Sequence, residues 1–428
     1  LAGAVGRCDI ERTNAVESGA RVHATAEDAM LSLSRLLCGT VTTGDALRYE
    51  RRSADLPPHL LHFSQDKRPV VVWNITRRCN LHCVHCYASA TDRAYEGELT
   101  TEEGLRVIDD LADFGVPVVL FSGGEPLTRP DLFTLSRHAR DRGLRAVLST
   151  NGTLITPEVA REVQAQGFSY AGISLDGLSD IHDKFRGKRG AFDESLAGIR
   201  ACREAGVRVG MRFTVTRRNQ HHLPDILRLL EEEDVPRFCM YHLAYSGRGK
   251  KIAADALDAT ETRAVLDLLC DQVLDWHRRG IEKEVLTVDN HADAAYLYLR
   301  IKRDQPERAE EVLQLLRWNG GNSSGLGIGC IDYRGEVHPD QFSWHLPLGN
   351  VRERPFSAIW RDVSNPLLGG LRNRRELING RCASCGFFDI CNGNLRVRAE
   401  AATGDLWGSD PACYLTDDEI RVPQPLEV

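Results

Sequence analysis

From residue 69 to about residue 245 the chain alternates strand and helix without interruption. "PVVVWNI" is a short β-branched run. "TTEEGLRVIDDLADFG" opens on Thr then Glu and stops at Gly115, which predicts a helix with both end signals. Strand-like "VPVVLFS", "LRAVLST", "YAGIS", "VRVGMRFTVT" and "RFCMYHLAYS" follow. Between them lie the helix-like "RPDLFTLSRHARDRG", "TPEVAREVQAQG", "AFDESLAGIRACREAG" and "LPDILRLLEEEDV". Such alternation calls for a parallel sheet with helical crossovers. About six β/α units fall short of the eight that close a barrel. The expected class is therefore α/β, a partial (β/α)6 TIM-like barrel over residues 69–285. Sheets of this kind place their sites at the C-terminal strand ends. Cys79 follows the first strand, Gly123 the second, Asn151 the third and Asp176 the fourth.

The flanks are less regular. Residues 1–68 read as a poorly defined N-terminal extension. Within it, "AEDAMLSLSRLLCG" has helical spacing and a glycine stop, and "ADLPPHLLHF" resembles a proline-punctuated linker. Residues 286–325 read as a helical linker that includes "PERAEEVLQLLRW" and runs into the glycine-dense "NGGNSSGLGIG". Residues 326–428 are expected to hold a hairpin, "GIGCIDYRGEVHPDQF", a short helix around "PFSAIW" and a cysteine-rich tail.

A net charge of −7 leaves no basic surplus for nucleic acid. No apolar run approaches the roughly 20 residues that span a bilayer, and no basic-then-apolar signal opens the chain. The expected location is cytoplasmic, with no membrane partner. Without a secretion signal, thirteen cysteines do not suggest a disulfide framework. Their distribution carries more meaning than their number. Cys8, Cys38, Cys202, Cys239, Cys270 and Cys330 are scattered, as buried small hydrophobes would be. Cys79, Cys83 and Cys86 form one cluster, and Cys382, Cys385, Cys391 and Cys413 form another.

The first cluster, "NITRRCNLHCVHCYAS", is a C-x3-C-x2-C run. Three thiolates on one loop can wrap one face of an iron–sulfur cube. Zinc sites usually pair C-x2-C or C-x4-C with a second pair, and none lies nearby. Three protein ligands leave one iron open, as catalytic metal sites do.

With this loop the chain resembles the radical S-adenosylmethionine (radical SAM) superfamily. The resemblance implies that SAM chelates the open iron of a [4Fe–4S] cluster. One electron then breaks a sulfonium C–S bond, and the 5′-deoxyadenosyl radical takes a hydrogen atom from the substrate. Further segments match in order. "SGGEP" (Gly123, Gly124, Glu125, Pro126) resembles the turn that holds the SAM amino group, with Glu125 as acceptor. "STNG" supplies Ser149 and Asn151, and "ISLDG" supplies Ser174 and Asp176, implied partners of the ribose hydroxyls and carboxylate. "HDKFRG" places Arg186 where similar enzymes bind the SAM carboxylate. His85 stands where the family commonly has an aromatic residue. No residue beyond the cluster and SAM is assigned a catalytic role. An electron donor such as a flavodoxin or ferredoxin is implied.

"CASCGFFDIC" with Cys413 offers four thiols, enough to close a zinc or cluster site. The pattern resembles the SPASM/twitch-like extension of radical SAM enzymes. That resemblance implies one auxiliary [4Fe–4S] cluster on Cys382, Cys385, Cys391 and Cys413. Asp340 and Leu395 replace cysteines of a full SPASM set, which leaves Cys330 without partners. His338 or Asp340 could still join a site.

"LGNVRERPFSAIW" and "GDLWGSDPACYLTDDEI" are most similar to radical SAM enzymes that modify tetrapyrrole side chains, in haem d1 biosynthesis or the alternative sirohaem-to-haem route. The implied substrate is an iron tetrapyrrole whose acetate or propionate side chains are removed or decarboxylated. Arg334, Arg396 and Arg398 could meet substrate carboxylates or form a solvated face, and His338 and His345 could approach a haem iron. The alternative is a peptide-modifying (RiPP-maturing) SPASM enzyme. A non-enzymatic iron–sulfur scaffold would leave the ordered SAM motifs unexplained.

Overall fold

A computed structural model of the chain describes residues 30–42 and 68–421. Its framework is a run of parallel strands added one after another in chain order. Leu31–Ser32 forms a short edge strand, β1. The parallel series is β2 (Val70–Thr76), β3 (Val118–Gly123), β4 (Arg145–Thr150), β5 (Ala171–Ser174), β6 (Val209–Val215), β7 (Arg237–His242) and β8 (Glu284–Val288). This is the partial barrel expected from the alternation, with a seventh parallel strand added. "EVLTV" at β8 is only five residues long and is buried throughout. A buried run that short has no period of its own, so its flanking helices mask it. The sheet thus continues past the boundary at residue 285, and the helix Ala292–Asp304 follows directly.

The strands are two-faced. Val71, Trp73 and Ile75 of β2 point outward to the helices and are fully buried beneath them. Val70, Val118, Val147 and Tyr170 point inward and plug the floor of the barrel. Each large side chain buried in this way contributes about 2–3 kcal/mol. Local signals fix the crossovers. The helix Thr101–Phe114 begins with a reciprocal capping box between Thr100 and Glu103 and ends at Gly115, whose φ of 81° only glycine adopts readily.

Both edges of the series are covered. At one edge β1 lies antiparallel to β8, with Leu31 opposite Thr287. Among the described residues of "AEDAMLSLSRLLCG", Leu33–Cys38 is helical, capped by Ser32 and Gly39, and Leu31 and Ser32 extend to complete this edge. Residues 26–29 of that stretch, and the expected linker "ADLPPHLLHF", lie outside the described residues. At the other edge the C-terminal hairpin joins the sheet. β9 (Ile328–Ile331) runs parallel to β2, β10 (Glu336–His338) turns back on it, and β11 (Gly349–Asn350) pairs with β10. Cys330 is thereby buried beside Asn74, whose Nδ2 donates to its Sγ at 3.2 Å. Covering both edges removes the exposed ladder groups that would otherwise invite aggregation. Among the described residues no helix is long and apolar enough to cross a membrane.

Candidate active site at the mouth of the partial barrel

The loop after β2 carries Cys79, Cys83 and Cys86, and all three line the cavity at the C-terminal ends of the strands. The loop is gripped from several sides. His82 N donates to Arg186 O at 3.0 Å and Val84 N to Phe185 O at 2.9 Å, fixing it to the end of the helix Ser179–Arg186. Arg248 donates from Nε to Cys83 O at 2.6 Å and from Nη1 to Ala90 O at 2.8 Å. Burial pushes the Cys79 and Cys83 thiols well above their ordinary values, with Arg186 partly opposing this at Cys83. Three thiols converging on one cavity form a donor set suited to iron.

The turn after β3 fits against this loop with no space to spare. A Cβ on Gly123 would lie 2.2 Å from Thr76 O, and one on Gly124 would lie 2.1 Å from Arg78 O. Gly124 N and Glu125 N donate to those same two carbonyls, each at 2.8 Å. Glu125 does not face the cavity as the sequence suggested. It is fully buried, and its carboxylate accepts from Thr150 Oγ1 at 2.7 Å, Asn151 N at 2.8 Å and Leu127 N at 3.2 Å. Burial pushes its pKa up to about 7, against these hydrogen bonds. Glu125 therefore ties the turn to the end of β4. Pro126 opens a single 3-10 turn behind it.

Ser149, Asn151 and Ser174 do line the cavity, as do Gly123 and Gly124. Asn151 donates from Nδ2 to Asn80 Oδ1 at 2.9 Å, and its Nδ2 is 3.9 Å from Cys79 Sγ. Asp176 sits behind the wall, where it orients Arg186. Its Oδ2 is 2.6 Å from Arg186 Nη2 and 3.5 Å from His85 Nε2, and its Oδ1 accepts from Thr214 N at 2.8 Å. Burial pushes Asp176 up, but Arg186, His85 and His182 hold it below the ordinary carboxylate value. Arg186 Nη1 reaches Cys83 Sγ at 3.6 Å, so this cation bridges the cysteine loop and Asp176. His85 lines the cavity, and burial lowers its pKa to about 4, so it is neutral near pH 7.

The cavity also contains residues the sequence reading passed over: Arg212, Tyr241, Arg248 and Asp289. One signal was available, since an arginine at an inward position of the buried strand "VRVGMRFTVT" is unusual.

Cys382, Cys385, Cys391 and Cys413 also come together. Burial pushes the Cys391 thiol up, and the neighbouring Cys413, Cys382 and Cys385 push it further. Arg381 Nη1 lies 3.3 Å from Cys413 Sγ. The segment between Cys391 and Cys413 is bolted to the end of β8. Asn290 donates to Ala412 O at 3.1 Å, and Arg398 donates to Asp289 O at 2.9 Å.

The arginines and histidines considered for substrate are elsewhere. Arg396 and Arg398 are buried structural groups, Arg396 bonded to the carbonyls of Leu406 and Gly408 and Arg398 paired with Asp410 at 2.7 Å. Arg334 stacks its guanidinium on Tyr333, 5.2 Å from the ring centre. His338 is fully buried under the C-terminal hairpin, 3.8 Å from Asp332, and His345 bonds Glu400 at 2.6 Å. Their sequence positions carried no sign of which side of the hairpin they face.

The profile of the radical SAM superfamily matches residues 73–230. Fe-coproporphyrin III synthase of Methanosarcina barkeri is 56% identical over 394 residues, which covers 91% of this chain and 99% of that protein. Pre-heme d1 synthase of Dinoroseobacter shibae is 43% identical over 357 residues, 82% of this chain and 87% of that protein. Among solved structures, Streptococcus suis SuiB bound to S-adenosylmethionine superposes with a TM-score of 0.64 at 19% identity, covering 82% of this chain and 78% of that chain. The last is a likeness of fold.

Proposed function

This chain belongs to the radical SAM superfamily, and we propose that it removes or decarboxylates acetate or propionate side chains of an iron tetrapyrrole. A [4Fe–4S] cluster and SAM together supply, when bound, the reducing electron and the carbon radical that takes a hydrogen atom from substrate. Cys79, Cys83 and Cys86 would hold that cluster. Gly123 and Gly124 let their turn close on the cysteine loop where the cofactor would sit, and Ser149, Asn151 and Ser174 offer it polar contacts. Arg186, held in place by Asp176, presents a guanidinium to its carboxylate. Glu125 acts one layer back by fixing Asn151. Cys382, Cys385, Cys391 and Cys413 would hold an auxiliary [4Fe–4S] cluster. With four cysteines that site is closed, which suits electron transfer or structure better than direct substrate binding. A small flavodoxin or ferredoxin would deliver the electrons.

The observation that carries this proposal is the convergence of Cys79, Cys83, Cys86 and Arg186 on one cavity, in a chain whose two relatives above are named for tetrapyrrole products. Peptide modification is the weaker alternative, since PqqA peptide cyclase of Bradyrhizobium diazoefficiens is 30% identical over 347 residues, well below the 56% and 43% of the two relatives above.

The test is anaerobic turnover. Reconstituted protein should hold roughly eight irons per chain, two four-iron cubes. With reductant and SAM it should form 5′-deoxyadenosine. An iron tetrapyrrole bearing acetate side chains should lose the mass of those groups. Deoxyadenosine without any change in tetrapyrrole mass would remove the substrate from the proposal.

A further inference from the structure

Below the cysteine loop, β6 turns Arg212 into the barrel. A cation at an inward position of a buried strand is costly unless it meets acceptors. Arg212 Nη1 donates to Ser149 Oγ, the Tyr170 hydroxyl is a further hydrogen-bond partner of the guanidinium, and the Tyr241 phenol lies beside it. Its Nε has no hydrogen-bond partner. No carboxylate of a described residue is within ion-pair distance of it, and Tyr241, Tyr170 and Cys239 are the neighbours that favour its charge. Arg186 differs, having Asp176 as a counter-ion.

The adjoining strands are cut back around this side chain. A Cβ on Gly172 of β5 would lie 2.2 Å from Arg212 Nε, and a Cβ on Gly210 of β6 would lie 2.1 Å from the Tyr170 hydroxyl. Glycine weakens a strand interior, so two such positions at one site indicate a space kept for a particular side chain. The walls around it, including Val72, Leu120 and Val288, are apolar and leave the charge weakly screened.

We propose that Arg212 anchors a carboxylate of the substrate and so selects which side chain is drawn down into the barrel. The fork of the guanidinium matches a carboxylate in two parallel hydrogen bonds. This assignment rests on the tetrapyrrole substrate proposed above. SAM also carries a carboxylate, and the experiment separates the two.

Iron coproporphyrin III and its tetramethyl ester serve as probes, titrated by absorbance into anaerobic holoenzyme, with SAM binding measured by equilibrium dialysis. Wild type should bind the acid about tenfold or more tightly than the ester, as loss of a charged hydrogen bond implies. Arg212→Gln should lose that preference, and Arg212→Lys should keep part of it. An unchanged acid-over-ester preference in Arg212→Gln overturns the proposal. So does a loss of SAM affinity as large as the loss of tetrapyrrole affinity, which would assign the carboxylate to SAM. Equal binding of acid and ester by wild type overturns it without reference to any variant. If wild type binds neither probe, the tetrapyrrole substrate itself fails, and this anchor with it.

Discussion

The pair Arg398–Asp410 ties the segment carrying the second set of cysteines to the barrel, and removing either partner should have unequal effects. Both side chains are at most 1% exposed. Asp410 Oδ1 and Oδ2 accept from Arg398 at 2.7 and 2.9 Å. The same two oxygens accept from Ala412 N at 2.9 Å and Leu395 N at 3.0 Å. Asp410→Ala leaves a buried guanidinium that cannot lose its charge, and it orphans two backbone N–H groups. Breaking a buried pair costs about 3–5 kcal/mol, and each orphaned group adds about 1–3 kcal/mol before relaxation. A loss of about 5 kcal/mol or more is expected. Arg398→Met keeps both backbone N–H bonds to the carboxylate; it leaves the carbonyls of Leu243 and Asp289 without this donor, but under-satisfied carbonyls cost less than orphaned N–H groups. Its cost should be smaller by about 2 kcal/mol. Anaerobic urea unfolding of the two variants measures this order. Iron content supplies a second readout, because Cys413 follows Asp410 by three residues. Asp410→Ala should fall by about four irons, one cube, before the first cluster is lost. Equal or reversed stability losses would refute the idea that the uncompensated cation dominates.

Other outcomes follow from individual sites. Cys83→Ala should abolish deoxyadenosine formation, whereas Cys391→Ala should retain about four irons and some SAM cleavage uncoupled from substrate. Gly124→Ala should lose SAM binding and much of its stability, because its Cβ would meet Arg78 O at 2.1 Å; Gly143→Ala, with nothing within 4 Å, tests the cost of positive φ alone. Asp289 has its pKa raised to about 7, by burial first and by Asp340, with Arg398 opposing. A folded-state pKa above the unfolded value means this carboxyl costs stability as pH rises from the ordinary carboxylate range through about 7. Asp289→Asn should therefore stabilise the protein by a few kcal/mol at pH 8 and hardly at all near pH 4. Asparagine also suits the φ of 68° at this position. A pH-independent gain in the melting midpoint would contradict the sign.

The legible part of the molecule is the part set by short-range rules. Strand–helix alternation, the Thr100–Glu103 cap and the Gly115 stop all act within a few residues, and the partial barrel follows from them. β8 was hidden because five buried residues have no period to detect. The three thiols of the first loop were readable because their spacing brings them together. The role of Glu125 was not, because it depends on Thr150 and Asn151, which approach only once β3 and β4 are paired. Arg396 and Arg398 show the same limit: nothing in "LRVRAE" indicates that both guanidiniums turn inward to carbonyls and to Asp410. Arg212 is the intermediate case, visible as a charge where a strand should be apolar, though its missing counter-ion is a fact of three dimensions.

The two sewn edges also govern the order in which the protein can assemble. Asn74 meets Cys330 across 256 positions, and Ser34 meets Val285 across 251. Contacts of such span form slowly, because the chain must close a long loop before they repay its entropy. β2 is made before β9, and its outer edge stays unpaired until β9 arrives. The strand that leads into the first cysteine loop is thus completed only when the segment preceding the second set of cysteines arrives. The loop that carries Cys79, Cys83 and Cys86 thus gains its last supporting strand only through a contact that spans more than 250 residues.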